Sequence, residues 1–148
     1  MQIRKYNLEL DQNKHPVMVE EKATTYEGRP LNNPSLVVDM LEECFRLSRQ
    51  AEEKVYMISL DSKNEPIGIF EVSHGSVNMS CCMPREIFIR ALLCGAVNII
   101  IAHNHPSGDT TPSRDDEEVK ERLEAAGDLI GVRVLDFLIV GRNGFYQL

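Results

Sequence analysis

The chain has 148 residues, 43% of them apolar, and a formal net charge of −7 from 16 basic and 23 acidic residues. That is the size and apolar share of one globular unit with a single core, and no run approaches the ~20 apolar residues of a membrane span. The acidic balance disfavours a stand-alone nucleic-acid binder, since phosphate neutralisation needs a basic face; a local basic patch is the one route left to direct DNA contact.

Taken in chain order, the N-terminal "MQIRKYNLELDQNKH" alternates charged and apolar residues and lacks a signal-peptide core, so the expected location is cytoplasmic, with no membrane partner. "IRKYNLEL" and "HPVMVE" read as two short strands, and "YEGRPLNNPS" (26–35) as a loop. Residues 1–34 are therefore expected to form a strand-like extension packed on a core domain of residues 35–148. "NPSLVVDMLEECFRLSRQ" predicts a helix of about four turns, with Ser35 as its cap and Leu36, Met40, Leu41, Cys44 and Phe45 on one face. "KVYMISLD" and "IGIFEVS", separated by the turn "DSKNEP", predict adjacent antiparallel strands. "HGSVNMSCCM" reads as a loop, in which His74 is an exposed side chain.

"PREIFIRALLCG" predicts a helix with Pro84 at its first position and Gly95 just past its end. The near-continuous apolar run "VNIIIAH" predicts a buried central strand. "SRDDEEVKERLEAAGDLIG" predicts a helix capped by Ser113, with acids in the first turn and Val119, Leu123 and Ala126 facing inward. "VRVLDFLIVG" and "GFYQL" close the chain as strands around an Asn-Gly turn. The order β-β-α-β-β-α-β-α-β-β suggests a mixed sheet with helices on its faces. The four cysteines (Cys44, Cys81, Cys82, Cys94) form no C-x-x-C pair and are expected as free thiols.

The densest chemistry lies in "HNHPSGDTTPSRDD". Residues i and i+2 of a strand share a face, so His103 and His105 project together where the buried strand ends, and Asn104 points away. The loop punctuated by Pro106, Gly108 and Pro112 then leads into the helix, and Asp116 in its first turn can face back toward the imidazoles. Two His and one carboxylate make a three-ligand set with one open position, the pattern of catalytic rather than structural zinc sites. Ser113-x-x-Asp116 is equally the pattern of a helix cap.

The same residues resemble a known family. His-x-His, seven residues, Ser, two residues, Asp is the spacing of the JAMM (MPN+) metalloprotease motif, and the wording is nearly that of its RadC branch. "LDSKNEPIG", "PREIFIRALLCGAVNIIIAHNHPSGD" and "LDFLIVG" look like RadC-family blocks in the right order, over roughly residues 35–148. The resemblance implies an α/β fold of the JAB/MPN type, a cytidine-deaminase-like α-β-α sandwich with a mixed central sheet flanked by helices. It implies Zn2+ held by His103, His105 and Asp116, with Glu53 as catalytic base (adjacent Glu52 being the alternative) and Ser113 stabilising the oxyanion. The implied activity is a zinc metallopeptidase or isopeptidase acting on a protein or peptide substrate.

Two departures stand out. RadC-like sequences usually read Leu-Asp-His where this chain has Leu135-Asp136-Phe137, which puts a substrate or supporting role at that position in doubt. The helix-hairpin-helix-like region that precedes the domain in full-length RadC proteins is not expected in the leading residues. Among rivals, HNH nucleases draw their name from residues scattered over a ββα-metal unit. A zinc deaminase needs His-x-Glu with Pro-Cys-x-x-Cys, which "CCMPRE" does not supply. The serious alternative is a non-catalytic DNA-repair accessory or protein-binding module that keeps its metal.

Overall fold

Alternating or continuous apolar runs supply seven strands, and all seven join one mixed sheet in the order β2-β1-β4-β3-β5-β6-β7. The computed structural model describes residues 1–28, 30–74 and 82–148. β1 (Gln2–Leu10) and β2 (Pro16–Thr25) form an antiparallel hairpin, and β1 then pairs in parallel with β4 (Pro66–His74). β3 (Lys54–Leu60) lies antiparallel to both β4 and β5 (Asn98–Asn104). β6 (Arg133–Gly141) runs parallel to β5 and is closed by β7 (Gly144–Gln147) across the turn at Arg142–Asn143.

The helices divide between the two faces. α1 (Pro34–Phe45) covers one face through Val37, Val38, Met40, Leu41 and Cys44. α2 (Pro84–Cys94) and α3 (Arg114–Ile130) cover the other, through Ile87, Phe88 and Ala91 and through Val119 and Leu123. The period-2 geometry of β5 shows how one strand feeds both layers: Ile100 and Ala102 enter the α1 layer, Ile99 and Ile101 the α2/α3 layer. Each of these buried isoleucines contributes about 1.5–3 kcal/mol relative to exposure. The architecture is the α/β sandwich that the order of elements suggested.

Local signals hold for two helices and shift for one. Pro84 opens α2, and Gly95, in the left-handed region at φ 67°, ends it. Ser113 caps α3. α1, however, is capped by Asn33, whose side chain accepts a hydrogen bond from the Leu36 amide, and not by Ser35. Pro34 at the first helical position has no amide to donate, and the Asn side chain just outside it reaches the N–H of the third helical residue, Leu36. The same helix stops sooner than expected: Arg46 takes the left-handed conformation at φ 52°, and a short 3-10 turn (Leu47–Arg49) follows. The loop expected at "HGSVNMSCCM" begins one residue later, because β4 continues to His74; residues 75–81, and Cys81 with them, lie outside the described residues. Cys44, Cys82 and Cys94 are free thiols.

Candidate metal centre

The site forms where β5 runs out. His103 continues the alternation that sends Ile99 and Ile101 toward α2 and α3, so its imidazole arrives on that face fully buried, 0% exposed. His105 follows the last strand residue, but its amide still donates to Val140 of β6 (3.0 Å), which extends the strand geometry by one position. The two rings lie 4.9 Å apart at 64°, and Phe137 packs edge-on against His103 at 5.6 Å. Phe137, where RadC-like sequences carry His, therefore presents an apolar wall to the imidazole.

The loop from Pro106 to Pro112 sits directly on the end of β6. A Cβ on Gly141 would come within 2.6 Å of both the Gly108 carbonyl oxygen and the Thr110 methyl group, so only glycine permits this approach. The loop returns the chain to α3, where Ser113 and Asp116 cap each other: the Ser113 hydroxyl accepts from the Asp116 amide (3.1 Å), and Asp116 Oδ2 accepts from the Ser113 amide (2.8 Å). That reciprocal cap uses one oxygen of Asp116 and turns the carboxylate inward, 1% exposed.

The capping box is present, and it leaves the same side chain facing inward, where it could also serve as a ligand. Asp116 Oδ1 lies 3.2 Å from His103 Nε2, and Oδ2 lies 3.4 Å from His105 Nε2. One ligand atom from each of the three residues can be chosen so that all lie within 4.8 Å of one another. Burial pushes the Asp116 carboxyl up, but His103 and the Ser113 amide outweigh it and hold it at about 2. Burial pushes the His103 imidazole down, and Asp116 and Glu53 more than reverse this, so its pKa is raised.

Those contacts are close enough for Coulomb attraction but are not aligned as hydrogen bonds. His103 Nδ1, His103 Nε2 and Asp116 Oδ1 are buried without a hydrogen-bond partner. Leaving such a group unpaired costs about 1–3 kcal/mol. Lone pairs on an imidazole nitrogen and a carboxylate oxygen, converging in a buried pocket, are what a divalent cation takes up, so the donor set fits a metal. The second histidine is already oriented for that role. The Asp109 carbonyl, which can only accept, lies 2.7 Å from His105 Nδ1; Nδ1 therefore carries the proton, and Nε2 keeps its lone pair on the Asp116 side.

Glu53 stands one residue before β3, with Oε1 3.3 Å from His103 Nδ1 and its side chain 11% exposed. Glu52 is exposed. The structure thus brings His103, His105, Asp116 and Glu53 together, and the Ser113 hydroxyl accepts from the amide of Asp116.

Sequence reasoning passed over Asn104 as merely the residue that points away. Its carboxamide, fully buried, accepts from the Lys54 amide (2.7 Å) and donates to the carbonyls of Glu52 (3.1 Å) and Gln50 (3.4 Å). Nothing in the local sequence signals partners fifty positions away.

A seven-stranded α/β sandwich with His, His and Asp converging at the end of its central strand is a JAB-type domain carrying a candidate metal centre. Sequence comparison makes the class particular: the RadC-like JAB domain matches residues 31–148, and the chain belongs to that family. It is 44% identical over 130 residues to a UPF0758 protein of Clostridium perfringens, covering 88% of this chain and 55% of that protein. It is also 44% identical over 115 residues to a UPF0758 protein of Symbiobacterium thermophilum, covering 78% and 48%. A UPF0758 protein of Caldanaerobacter subterraneus is 43% identical over 119 residues, covering 80% and 50%. The chain spans about half the length of the curated relatives it matches. Among the described residues, no helix is long and apolar enough to cross a membrane.

Proposed function

We propose that this chain is a zinc-dependent hydrolase of peptide or isopeptide bonds. The observation that carries the reading is the buried set His103, His105 and Asp116, with three unpaired polar atoms and a carboxylate, Glu53, against it. Two imidazoles and a carboxylate would hold Zn2+ and leave one coordination position open. The same donors suit non-haem iron(II), but a carboxylate base beside them favours hydrolysis over oxygen chemistry. A bound zinc ion supplies Lewis acidity that brings the pKa of water in the open position toward ~7 and polarises a carbonyl.

This chain's residues then divide the remaining work. Glu53 takes the proton from the attacking water and delivers it to the leaving amine, so one carboxylate serves as base and then as acid. The Ser113 hydroxyl uses its oxygen to accept from the Asp116 amide, which leaves its proton free to donate to the oxygen of the tetrahedral intermediate. His105 is held in one tautomer by the Asp109 carbonyl, so it need not reorient during turnover. Phe137 keeps water away from the buried side of His103. The substrate class proposed is a protein or peptide, and direct DNA contact has no place in the reading.

The test is cleavage of a library of peptides and isopeptide-linked peptides by the zinc-loaded protein, with Glu53→Gln as control. Expected is zinc bound one-to-one in both and a rate lower by about 10²–10⁴ in the variant. A fully loaded wild-type protein that cleaves nothing would overturn the hydrolase and leave a non-catalytic module.

A further inference from the structure

Asn104 takes no part in the hydrolysis just described, and it points to the sheet face opposite His103. Yet it is fully buried and spends its acceptor and both amide protons on one short stretch of backbone. We propose that Asn104 is a positioning residue for Glu53: its carboxamide fixes the two peptide groups that bracket residue 53 and so holds the Glu53 carboxylate against His103. The effect on rate rests on the reading of Glu53 as proton carrier; the geometry does not.

The direction of a side chain follows from the two peptide planes that flank its Cα. For residue 53 these are the plane containing the Glu52 carbonyl and the plane containing the Lys54 amide. Asn104 bonds both, at 3.1 and 2.7 Å. Among the described residues, no backbone–backbone hydrogen bond outside the strands holds residues 51–53, which lie between the 3-10 turn and β3, and Lys54 itself is paired with His74 on the β4 side only. The β3–β5 register has Val55 opposite His103 as its last pair, so the Lys54 amide goes to a side chain where a ladder partner would otherwise stand. One β5 residue thus presents the metal-face imidazole, and the next residue, on the other face, anchors the carboxylate that must meet it.

Few side chains can replace it. The clamp needs one acceptor and two donors on a short arm in a buried place. Asp offers acceptors only and would set a charge against the Glu52 carbonyl; Ser offers a single proton on a shorter arm.

The experiment uses the full chain carrying Asn104→Ser, with Asn104→Asp as a second variant that keeps the size and the bond to Lys54. In the metal-free protein, the Lys54 amide of the Ser variant is expected to exchange at least about tenfold faster, with the amides of Ile100–Ala102 unchanged. In a crystal structure of either variant, the Glu53 carboxylate moves away from His103 by about 1 Å or more. In the zinc-loaded Ser variant, metal stoichiometry is unchanged, kcat falls about 10- to 100-fold, and KM stays within about twofold. Combining the variant with Glu53→Gln adds no further loss of rate. Unchanged Lys54 exchange with Glu53 in place overturns the proposal, and so does a rate loss that adds fully to that of Glu53→Gln. Should the wild type cleave no amide, the hydrolase reading falls, while exchange and crystallography still decide the clamp. If Asn104→Ser fails to fold, the position of Glu53 in Asn104→Asp decides it.

Discussion

Two clusters of charge, one half-buried and one buried, lie within a few residues of each other, and they are finished in opposite ways. Around Glu71 on β4, Oε2 receives Lys5 Nζ at 3.0 Å and the Tyr56 hydroxyl at 3.2 Å, while Lys54 Nζ lies 3.4 Å from Oε1. Lys5 also reaches Glu21, and Tyr56 stacks on Phe45 at 5.1 Å. Burial pushes Glu71 up, but Lys5 and Lys54 outweigh it and keep its carboxyl below the ordinary value; burial, then Glu71, raises the Tyr56 hydroxyl above the usual phenol range. Among the described residues the charges there are met by protein groups, so the cluster is internally compensated. Around His103 the count of donors and acceptors does not close: two ring nitrogens and a carboxylate oxygen are left over. Two carboxylates, Glu53 and Asp116, crowd imidazoles they do not properly bond. The difference teaches how to separate a structural ion pair from a site: a structural pair satisfies itself, and a site keeps lone pairs in reserve.

The largest break in that contrast comes from His103→Ala. Removing one of the three proposed ligands is expected to reduce bound zinc from one per chain to below about a tenth, read by elemental analysis after dialysis. Undiminished stoichiometric zinc would move the centre elsewhere. Glu71→Gln should do the reverse, leaving zinc content unchanged and lowering unfolding free energy by about 1 kcal/mol, because two lysines lose a half-buried anion. Urea denaturation measures it, and metal loss in that variant would erase the distinction between the clusters. The smallest effect is the pH dependence of that gap. A carboxyl depressed in the folded state adds stability above its unfolded value, near 4.5, and loses it as pH falls through the folded value. The wild-type advantage over Glu71→Gln should therefore hold at pH 7 and shrink below about pH 4.5. A gap that widens in acid would show that Glu71 is not the stabilised anion.

Much of this was legible because the signals are local. Proline at a first helical position, glycine past a helix end, Ser113 with acids behind it, and a His-x-His at the end of an apolar run each act over a few residues. Sheet order was not legible, because the parallel pairing of β1 with β4 joins Lys5 to Ile69 across a separation that no period reveals. β2 runs on to Thr25 through "EEKATT", an edge strand whose exposed faces carry no alternation to read. The expected cap of α1 lies two positions inside its true place because Ser35 and Asn33 are both competent caps, and Pro34 between them decides the matter sterically. Spacing alone does not mark Glu53; only the resemblance singles it out, and the fold sets it beside His103. Asn104 could not be read at all, since its three partners are backbone atoms on a distant segment.

The reciprocal cap and the Asp109 carbonyl carry a consequence for the life of the protein. Strand, loop, helix start and imidazole tautomer are all in place through bonds that involve no ion. A zinc finger loses its fold when its ion leaves. Here the bonds that shape the proposed site are the chain's own, so the domain is expected to keep its shape at any occupancy. Depletion of the ion would then leave a reserve of intact chains that recover on resupply without refolding, with ion entry, and not chain ordering, setting the pace of recovery.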